Sequence, residues 1–257
     1  MLVIDSTYPA QDFNQRNGEA VRQLVVHYNA APFASSLRTL TQQGVSAHYL
    51  LPDPLEAGYR DAGYDELRVF QLVDEHQRAW HAGASHWAGH DNVNTRSIGI
   101  EIVNLARDDG GVFTFPAYGA EQIEVLIALI HDICARHPQI GATDIVGHSD
   151  VAFWRKSDPG PRLPWHGLFE AGIGAWFDEE VKNAYVRRFR MGLPQEVEIE
   201  RAFQRYGYAP ARNRQAFQQR VRAFQMHFRP SDYRGQLDID TCAILYALNE
   251  RYSSAGE

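Results

Sequence analysis

The feature that most constrains the fold is one helix pattern with a strand pattern on either side. The segment GAEQIEVLIALIHDICARHP, residues 119–138, repeats apolar residues at helical spacing, and Pro138 ends it. The segments SIGIEIV (97–103) and DIVGH (144–148) are short apolar runs typical of strands. Three similar runs come earlier: QLVVHYN (23–29), SAHYLL (46–51) and RVFQLV (68–73). This order predicts an α/β fold.

The last third of the chain has a different pattern, with no strand signal after Asp178. Four apolar residues there follow the i, i+4, i+7, i+11 spacing of one helix face: Phe217, Val221, Phe224 and Phe228. The chain has 257 residues, which is enough for one large domain and one small one. We therefore predict an α/β domain over residues 1–177 and a small all-α domain over residues 178–257.

Composition restricts the possible partners. The formal net charge of −7 argues against nucleic acid or another polyanion. No apolar run is long enough to span a membrane, so no membrane insertion is expected. The two cysteines, Cys134 and Cys242, both lie in helix-like patterns far apart in the chain, which indicates neither a disulfide framework nor a thiolate metal site.

Two histidines stand where apolar strands end. His27 follows the run LVV (24–26), and His148 follows IVG (145–147). The chain contains 11 histidines, and a lone histidine at a strand end is more often structural than a metal ligand. Two such histidines could nevertheless share one site.

The loop after His148 adds a carboxylate. In VGHSDVAFWRKSDPGP, residues 146–161, Pro159 and Pro161 exclude a helix, so the backbone geometry of a loop holds the polar side chains. Together with Asp158, the two histidines make three ligands with an open fourth position. This is the layout of a catalytic zinc site.

Glu101 and Lys156 would complete such a site. The three isoleucines of SIGIEIV point to one face of a strand, so Glu101 points to the other face together with Gly99. A half-exposed strand with Glu101 in water is an equally valid interpretation. Beside a metal, Glu101 would take the proton of an attacking water and Lys156 would stabilise the developing oxyanion.

Five ordered motifs resemble one family. They are VVHYNA (25–30), SAHYL (46–50), WHAG (80–83), NTRSIGIEIVN (94–104) and IVGHSDVAFWRKSDPGPRLPW (145–165). In these motifs the chain is similar to the N-acetylmuramoyl-L-alanine amidases of the AmpD/AmiD type. Their Amidase_2 fold is shared with peptidoglycan recognition proteins.

The resemblance implies a mixed central β-sheet flanked by helices, with zinc at one end. It implies that His27, His148 and Asp158 hold Zn²⁺, that Glu101 is the acid/base residue, and that Lys156 lies near the oxyanion. The implied reaction cleaves the amide bond between the lactyl group of N-acetylmuramic acid and the L-alanine of the peptidoglycan stem peptide. A muropeptide or peptidoglycan is therefore the expected partner.

Two alternatives remain at this point. A non-catalytic peptidoglycan-binding protein of the same fold typically lacks one of the metal ligands, whereas all three residue types are present here. A structural zinc in an interaction protein would need a fourth protein ligand, and no spare cysteine lies nearby. Zinc content together with activity would separate the three interpretations.

The tail resembles a second unit. Residues 223–249, AFQMHFRPSDYRGQLDIDTCAILYALN, look like the three-helix peptidoglycan-binding module that is often joined to such amidases. This resemblance implies action on polymeric murein as well as on muropeptides. The phenylalanines of the tail are expected in the core of the module and not on a sugar-binding surface.

Three residues are candidates for substrate contact by position alone: Trp80, His81 and Arg96. Trp80 is interpreted equally well as a buried cap on the core. His48, in the motif SAHYL, is expected to support the sheet near the metal through a hydrogen bond.

The expected place of action is the cell envelope, in the periplasm, because murein lies outside the cytoplasmic membrane. The first residues, MLVIDSTYPA, lack the basic and apolar regions of a signal peptide. A processed chain or another export route would reconcile the two observations. The sequence leaves open the oligomeric state, the stem-peptide preference and the preference for anhydro or normal muramyl ends.

Overall fold

The structure is a computed structural model that describes residues 2–109 and 112–253. Its strands are β1 (Ile4–Asp5), β2 (Phe13–Gln15), β3 (Gln23–Asn29), β4 (Tyr49–Leu51), β5 (Val69–Gln71), β6 (Gln77–Ala79), β7 (His86–Trp87), β8 (His90–Asp91), β9 (Ser97–Val103), β10 (Arg107–Asp109), β11 (Val112–Thr114) and β12 (Ile145–Gly147). Six of them form the central sheet, in the order β1-β5-β4-β9-β3-β12. The pairs are parallel except for β4 and β5, so the predicted mixed sheet is confirmed.

Helices lie between and after the strands. They are α1 (Phe33–Gln42), α2 (Ala57–Asp61), α3 (Ala120–Arg136), α4 (His148–Val151), α5 (Trp165–Glu170), α6 (Glu179–Phe189), α7 (Glu196–Tyr206), α8 (Arg214–Phe228) and α9 (Ile239–Ser253). Single 3₁₀ turns precede β9 and β12, at Val93–Thr95 and Ala142–Asp144. Within the described ranges, no helix has the length and apolar character needed to cross a membrane.

Helices cover both faces of the sheet. The three isoleucines of β9 lie in one apolar cluster with the buried residues of α3. Val103 of the same strand lies in a second cluster, with Phe33 and Leu40 of α1. Because side chains alternate along a strand, Glu101 belongs to the face of Val103, away from α3.

Strands with strong apolar patterns have the predicted bounds. This holds for β3 and β9. The strands predicted at 46–51, 68–73 and 144–148 are shorter, at Tyr49–Leu51, Val69–Gln71 and Ile145–Gly147, and His148 begins α4. The remaining short strands form three two-stranded antiparallel sheets, β2–β6, β7–β8 and β10–β11. They were not predicted, because sequences such as FNQ and QRA have no apolar alternation.

The described chain after Asp178 is helical, which confirms an all-α C-terminal part. It contains α7, α8 and α9, together with α6, which packs along α9. Val221, Phe224 and Phe228 of α8 are buried, as expected of core residues.

The C-terminal helices share an apolar core with the sheet. Trp87 of β7 is buried, and its ring centroid lies 6.0 Å from that of Tyr206 and 5.0 Å from that of Tyr208. Gly207 approaches so closely that a Cβ there would lie 2.8 Å from the Trp87 ring. The amide of Ala88 donates to the carbonyl of Gly207 at 2.8 Å. The core therefore continues from the sheet into the helices.

One buried carboxylate ties the sheet to the end of α3. Glu75 accepts hydrogen bonds from Tyr49 Oη at 2.7 Å, from Arg136 Nη2 at 2.9 Å and from His137 Nε2 at 2.8 Å. Burial alone would raise the pKa of Glu75, but the hydrogen bonds from these three residues lower it to about 2. A pKa lower in the folded than in the unfolded chain means that the ionised group stabilises the fold.

We expect Glu75→Gln to lower the free energy of unfolding by about 3 kcal/mol at pH 7, from 1.36 kcal/mol per pKa unit. The stabilisation by Glu75 is present above about pH 4.5 and is lost as the pH falls toward about 2. The difference between wild type and variant should therefore shrink on acidification, as measured by urea unfolding at pH 7, 4.5 and 3.

Glu124→Gln is the control, because Glu124 is an exposed carboxyl on α3. It should leave both the stability and its pH dependence nearly unchanged. A difference between Glu75→Gln and wild type that stays constant from pH 7 to pH 3 would contradict the role given to Glu75.

Candidate active site

Strand register brings the first two site residues together. His27 of β3 lies directly opposite Glu101 of β9 in a parallel pair. Gly147, the last residue of β12, lies opposite Val26, so His148 follows beside His27. Residues opposite one another in parallel strands project to the same side of the sheet. His27, Glu101 and His148 therefore meet at the carboxyl ends of three neighbouring strands.

Asp158 enters the cluster from the loop after α4. Its carbonyl oxygen accepts a hydrogen bond from the amide of Ser149 at 2.7 Å, which closes the loop on itself. The Asp158 side chain is buried and points at both histidines. Burial alone would raise the pKa of Asp158, but the imidazoles of His148 and His27 hold it well below its usual range.

Three possible ligand atoms form a small triangle. His27 Nδ1 lies 2.9 Å from His148 Nδ1 and 3.1 Å from Asp158 Oδ2, and the third edge is 2.9 Å. Ligand atoms around a tetrahedral zinc, each about 2.0–2.1 Å from the metal, lie roughly 3.3 Å apart. The observed spacing is only slightly smaller, so these residues could hold a metal ion.

The hydrogen bond on the far side of His148 supports the same interpretation. His148 Nε2 lies 3.1 Å from the carbonyl oxygen of Ala82, which only accepts hydrogen bonds, and 3.3 Å from Arg155 Nη2, which only donates them. When Nε2 donates to Ala82, Nδ1 of the neutral ring has the free lone pair. In that tautomer two acceptors, His148 Nδ1 and Asp158 Oδ2, face each other at 2.9 Å, and a metal cation between them would satisfy both.

His27 is oriented by a chain of buried polar groups. Its Nε2 lies 3.0 Å from His81 Nδ1, and His81 Nε2 lies 3.1 Å from Ser97 Oγ. Burial lowers the pKa of His27 to about 4 and the pKa of His81 well below its usual value, so both rings are neutral near pH 7. If His27 Nε2 donates to His81, the lone pair of His27 Nδ1 faces the triangle.

A glycine in β9 makes room for the His81 ring. A Cβ at Gly99 would lie 2.4 Å from Cγ of His81, so only glycine lets the His81 ring rest on the strand. His48 lies on the same strand surface and accepts a hydrogen bond from the amide of Gly99 at 3.0 Å. His48 thus packs behind the cluster and is not among the residues that line the surface hollow beside Glu101.

Glu101 differs from the other acids of the site. Its side chain is 12% exposed, Oε1 lies 3.9 Å from His27 Nδ1, and the buried Oε2 has no hydrogen-bond partner among the described residues. Burial, and then the negative charge of Asp158, raise the pKa of Glu101 to about 8, against the opposing effect of Lys156. An unpartnered buried carboxyl oxygen beside a possible metal site is suited to hold a reacting water.

Lys156 stands at the mouth of the cluster. It lines one hollow together with Glu101, Tyr28, Asn29, Ala30, Arg155, Ser157 and Asp158. Its side chain is exposed, so a substrate group in the hollow can reach it.

Sequence reasoning missed Tyr28 and Ser157, whose hydroxyls lie 2.9 Å apart. Tyr28 directly follows the predicted ligand His27, and Ser157 directly precedes the predicted ligand Asp158. This adjacency is the signal that could have identified them.

The three candidates for substrate contact lie in different places. His81 is buried behind His27, where it orients that ring. Trp80 is half-buried and donates from Nε1 to Asn14 Oδ1 at 2.9 Å, outside the hollow at Glu101. Arg96 precedes the first residue of β9, at the end of the strand away from Glu101. The structure does not bring Trp80 or Arg96 into the cluster.

A mixed sheet with two histidines and two carboxylates gathered at its parallel strand ends defines an α/β protein with a possible metal centre. The family model for N-acetylmuramoyl-L-alanine amidase, Amidase_2, matches residues 17–161. The chain is 42% identical over 236 residues to N-acetylmuramoyl-L-alanine amidase AmiD of Escherichia coli, covering 90% of this chain and 83% of AmiD. The chain belongs to the N-acetylmuramoyl-L-alanine amidase family.

Solved structures agree over nearly the whole chain. AmpDh3 from Pseudomonas aeruginosa is 52% identical and superimposes with a TM-score of 0.89, covering 98% of this chain and 100% of AmpDh3. AmiD from E. coli is 39% identical with a TM-score of 0.80, covering 96% of this chain and 93% of AmiD. AmpDh3 has been solved with anhydromuramic pentapeptide, and AmiD with anhydro-N-acetylmuramic acid-L-Ala-D-γ-Glu-L-Lys.

The hydrogen bonds that link His27 to His81 and His81 to Ser97 lead to a prediction. His81→Leu removes the acceptor for His27 Nε2, so His27 loses its orientation and metal affinity should fall by about 10- to 100-fold. His81→Asn places a carbonyl oxygen where Nδ1 was and should retain most of the affinity. Competition with a chromophoric chelator measures both.

A folding control accompanies this measurement, because both variants change a buried position. Near-ultraviolet circular dichroism should show that each is folded under the assay conditions. Equal affinities for His81→Leu and wild type would rule out the orienting role of His81.

Proposed function

We propose that the protein is a zinc-dependent N-acetylmuramoyl-L-alanine amidase that hydrolyses the amide bond between the lactyl group of N-acetylmuramic acid and L-alanine. The observation that carries this proposal is the convergence of His27 Nδ1, His148 Nδ1 and Asp158 Oδ2 within 3.1 Å of one another beside Glu101. Three protein ligands and an open side are the pattern of a catalytic zinc site. Family membership supplies the reaction class.

Glu101 is the proposed acid and base. The zinc ion supplies Lewis-acid activation of water and of the substrate carbonyl. Glu101 accepts the proton of the attacking water as the new C–O bond forms, and it returns that proton to the amine of L-alanine as the C–N bond breaks. A carboxyl whose pKa burial has raised to about 8 releases and rebinds a proton readily near neutral pH.

Lys156 is the proposed oxyanion donor. Lys156 lines the hollow that Glu101 and Asp158 also line, which supports this role. A positive donor aimed at the carbonyl oxygen stabilises the charge that develops there, and such donors contribute about 10²- to 10³-fold to rate. A non-catalytic peptidoglycan-binding protein is the alternative, and the complete set of Glu101, Lys156 and three ligand candidates disfavours it.

The proposed substrates are muropeptides and polymeric murein. The related AmiD and AmpDh3 were each solved with an anhydromuramyl peptide, which supports a soluble ligand of this kind for the present chain. We place its action in the cell envelope, in the periplasm, because polymeric murein lies outside the cytoplasmic membrane.

A groove toward the C-terminal helices supports action on the polymer. The hollow at Glu101 shares Lys156 with a second hollow, which is lined by Trp154, Phe113 and Arg222 of α8. The guanidinium carbon of Arg222 lies 4.1 Å from the centroid of the Phe113 ring. Aromatic rings pack on sugars, and arginine binds carboxylates such as those of stem peptides. We therefore propose that residues 178–257 contribute a murein-binding wall to this groove.

The first test replaces the proposed base. Glu101→Gln keeps size and polarity but cannot accept a proton, so turnover of an anhydromuramyl tripeptide should fall by about 10²-fold or more. Zinc should remain at about one ion per chain, because Glu101 is not a ligand. Mass spectrometry of the products measures turnover, and elemental analysis measures zinc.

Two comparisons make this test specific. His148→Ala should lose both zinc and activity, whereas Glu121→Gln, at an exposed position in α3, should change neither. Wild-type turnover in Glu101→Gln would exclude Glu101 as the base. A wild-type protein that binds zinc and muropeptide without cleaving it would favour the non-catalytic alternative.

The second test concerns the groove. Arg222→Ala should weaken co-sedimentation with purified sacculi by roughly tenfold, about 1.4 kcal/mol, because one charged contact is lost. Cleavage of the soluble tripeptide should stay within twofold, roughly 0.4 kcal/mol, of wild type. Arg201→Ala is the matched control, since Arg201 is exposed on α7 and does not line the groove. Equal sedimentation of all three proteins would remove Arg222 from murein binding.

A further inference from the structure

We infer that the C-terminal helices position, through Asp150, the turn at residues 147–149, which carries the candidate metal ligand His148. Asp150 lies in α4, two residues after His148, and its side chain is 1% exposed. Its partners, Tyr208 and His227, lie outside the segment 17–161 that matches the family model. The inference rests on the zinc site proposed above, and it gives these C-terminal residues a part in holding that site.

Three donors meet on the Asp150 carboxylate. Tyr208 Oη donates to Oδ1 at 2.5 Å, and His227 Nδ1 donates to Oδ2 at 2.8 Å. The amide of Gly147 donates to the same Oδ2 at 2.8 Å. One donor therefore comes from the turn that carries His148, and two come from the C-terminal part of the chain.

The surroundings of this carboxylate exclude water. The His227 ring stacks on Trp165 with a centroid distance of 3.8 Å and an interplanar angle of 16°. Tyr208 packs against buried Trp87, with ring centroids 5.0 Å apart. A donor removed from such a site is not replaced by solvent, so the remaining bonds to Asp150 must rearrange.

The turn held by Asp150 carries one candidate metal ligand, His148, and is bonded to a second, Asp158. Gly147, which donates to Asp150, directly precedes His148. The next residue, Ser149, donates its amide to the carbonyl oxygen of Asp158 at 2.7 Å. A Cβ at Gly147 would lie 2.6 Å from Cδ of Pro159, so the two ends of the loop are in direct contact. A shift of the turn therefore moves His148 and Asp158 together.

Tyr208 and His227 are thus positioning residues for the metal site. Groups that orient metal ligands from outside the coordination shell typically change metal affinity by about 10- to 100-fold when they are removed. Residues that only stabilise the fold change the unfolding temperature and leave the affinity of the folded protein unchanged. Metal affinity therefore separates the two roles.

The experiment measures zinc dissociation constants of the full chain by competition with a chromophoric chelator. Tyr208→Phe and His227→Phe each remove one donor to Asp150 while keeping an aromatic ring, and each should weaken zinc binding by about tenfold. Tyr206→Phe is the matched control. Tyr206 lies in the same aromatic cluster, with its ring 6.3 Å from that of Tyr208, and its hydroxyl is not among the donors to Asp150.

A second variant at His227 separates the hydrogen bond from the stacked ring. His227→Asn keeps an N–H donor near the position of Nδ1 but loses the ring that stacks on Trp165. It should unfold at a lower temperature yet bind zinc nearly as tightly as wild type. His227→Phe should show the reverse, with retained stacking and weaker zinc binding.

Two outcomes would overturn the inference. Tyr208→Phe and His227→Phe could bind zinc as tightly as wild type, or His227→Asn could lose as much affinity as His227→Phe. Either result with a zinc-binding wild type leaves the proposed amidase function intact. A folded wild-type protein that binds no zinc would instead remove both the inference and the zinc dependence of the proposed function.

Discussion

The parallel register of β3 against β9 and β12 determines the site. Because opposite residues in parallel strands project to the same side, His27 lies beside Glu101 and next to His148. A slip of one residue would turn His27 toward α3 and separate the three groups. Leu24 and Val26 oppose this slip, since both are fully buried and the slip would turn them to the face that now carries His27 and Glu101.

The burial that fixes the register also sets the charges of the site. It raises the pKa of Glu101 to about 8 and lowers that of His27 to about 4, so low exposure favours the neutral form of each. Asp158 stays ionised, because the two imidazoles hold its pKa well below the usual range. The cluster therefore combines one fixed negative charge with one carboxyl able to exchange a proton near neutral pH, which is how two acids acquire different roles.

Sequence reasoning succeeded where position depends on local pattern. The α/β class and the bounds of β3 and β9 follow from apolar runs, and the grouped ligand candidates lie at the ends of such runs or in a loop rich in proline. It was less informative where position depends on contacts between distant segments. Trp80 is held by Asn14, Arg96 lies at the opposite end of β9 from Glu101, and the burial of Asp150 involves α8. No local pattern carries that information.

The C-terminal helices are more closely integrated than a tethered binding module would be. A module joined only by a linker keeps its own core, whereas here Tyr208 and Phe224 belong to one apolar cluster with Trp87 and Trp165. The same helices border the proposed murein groove through Arg222. Helix α8 contains both Arg222 and His227, which donates to Asp150 at 2.8 Å. One helix therefore lines the proposed groove and also holds the turn that carries His148.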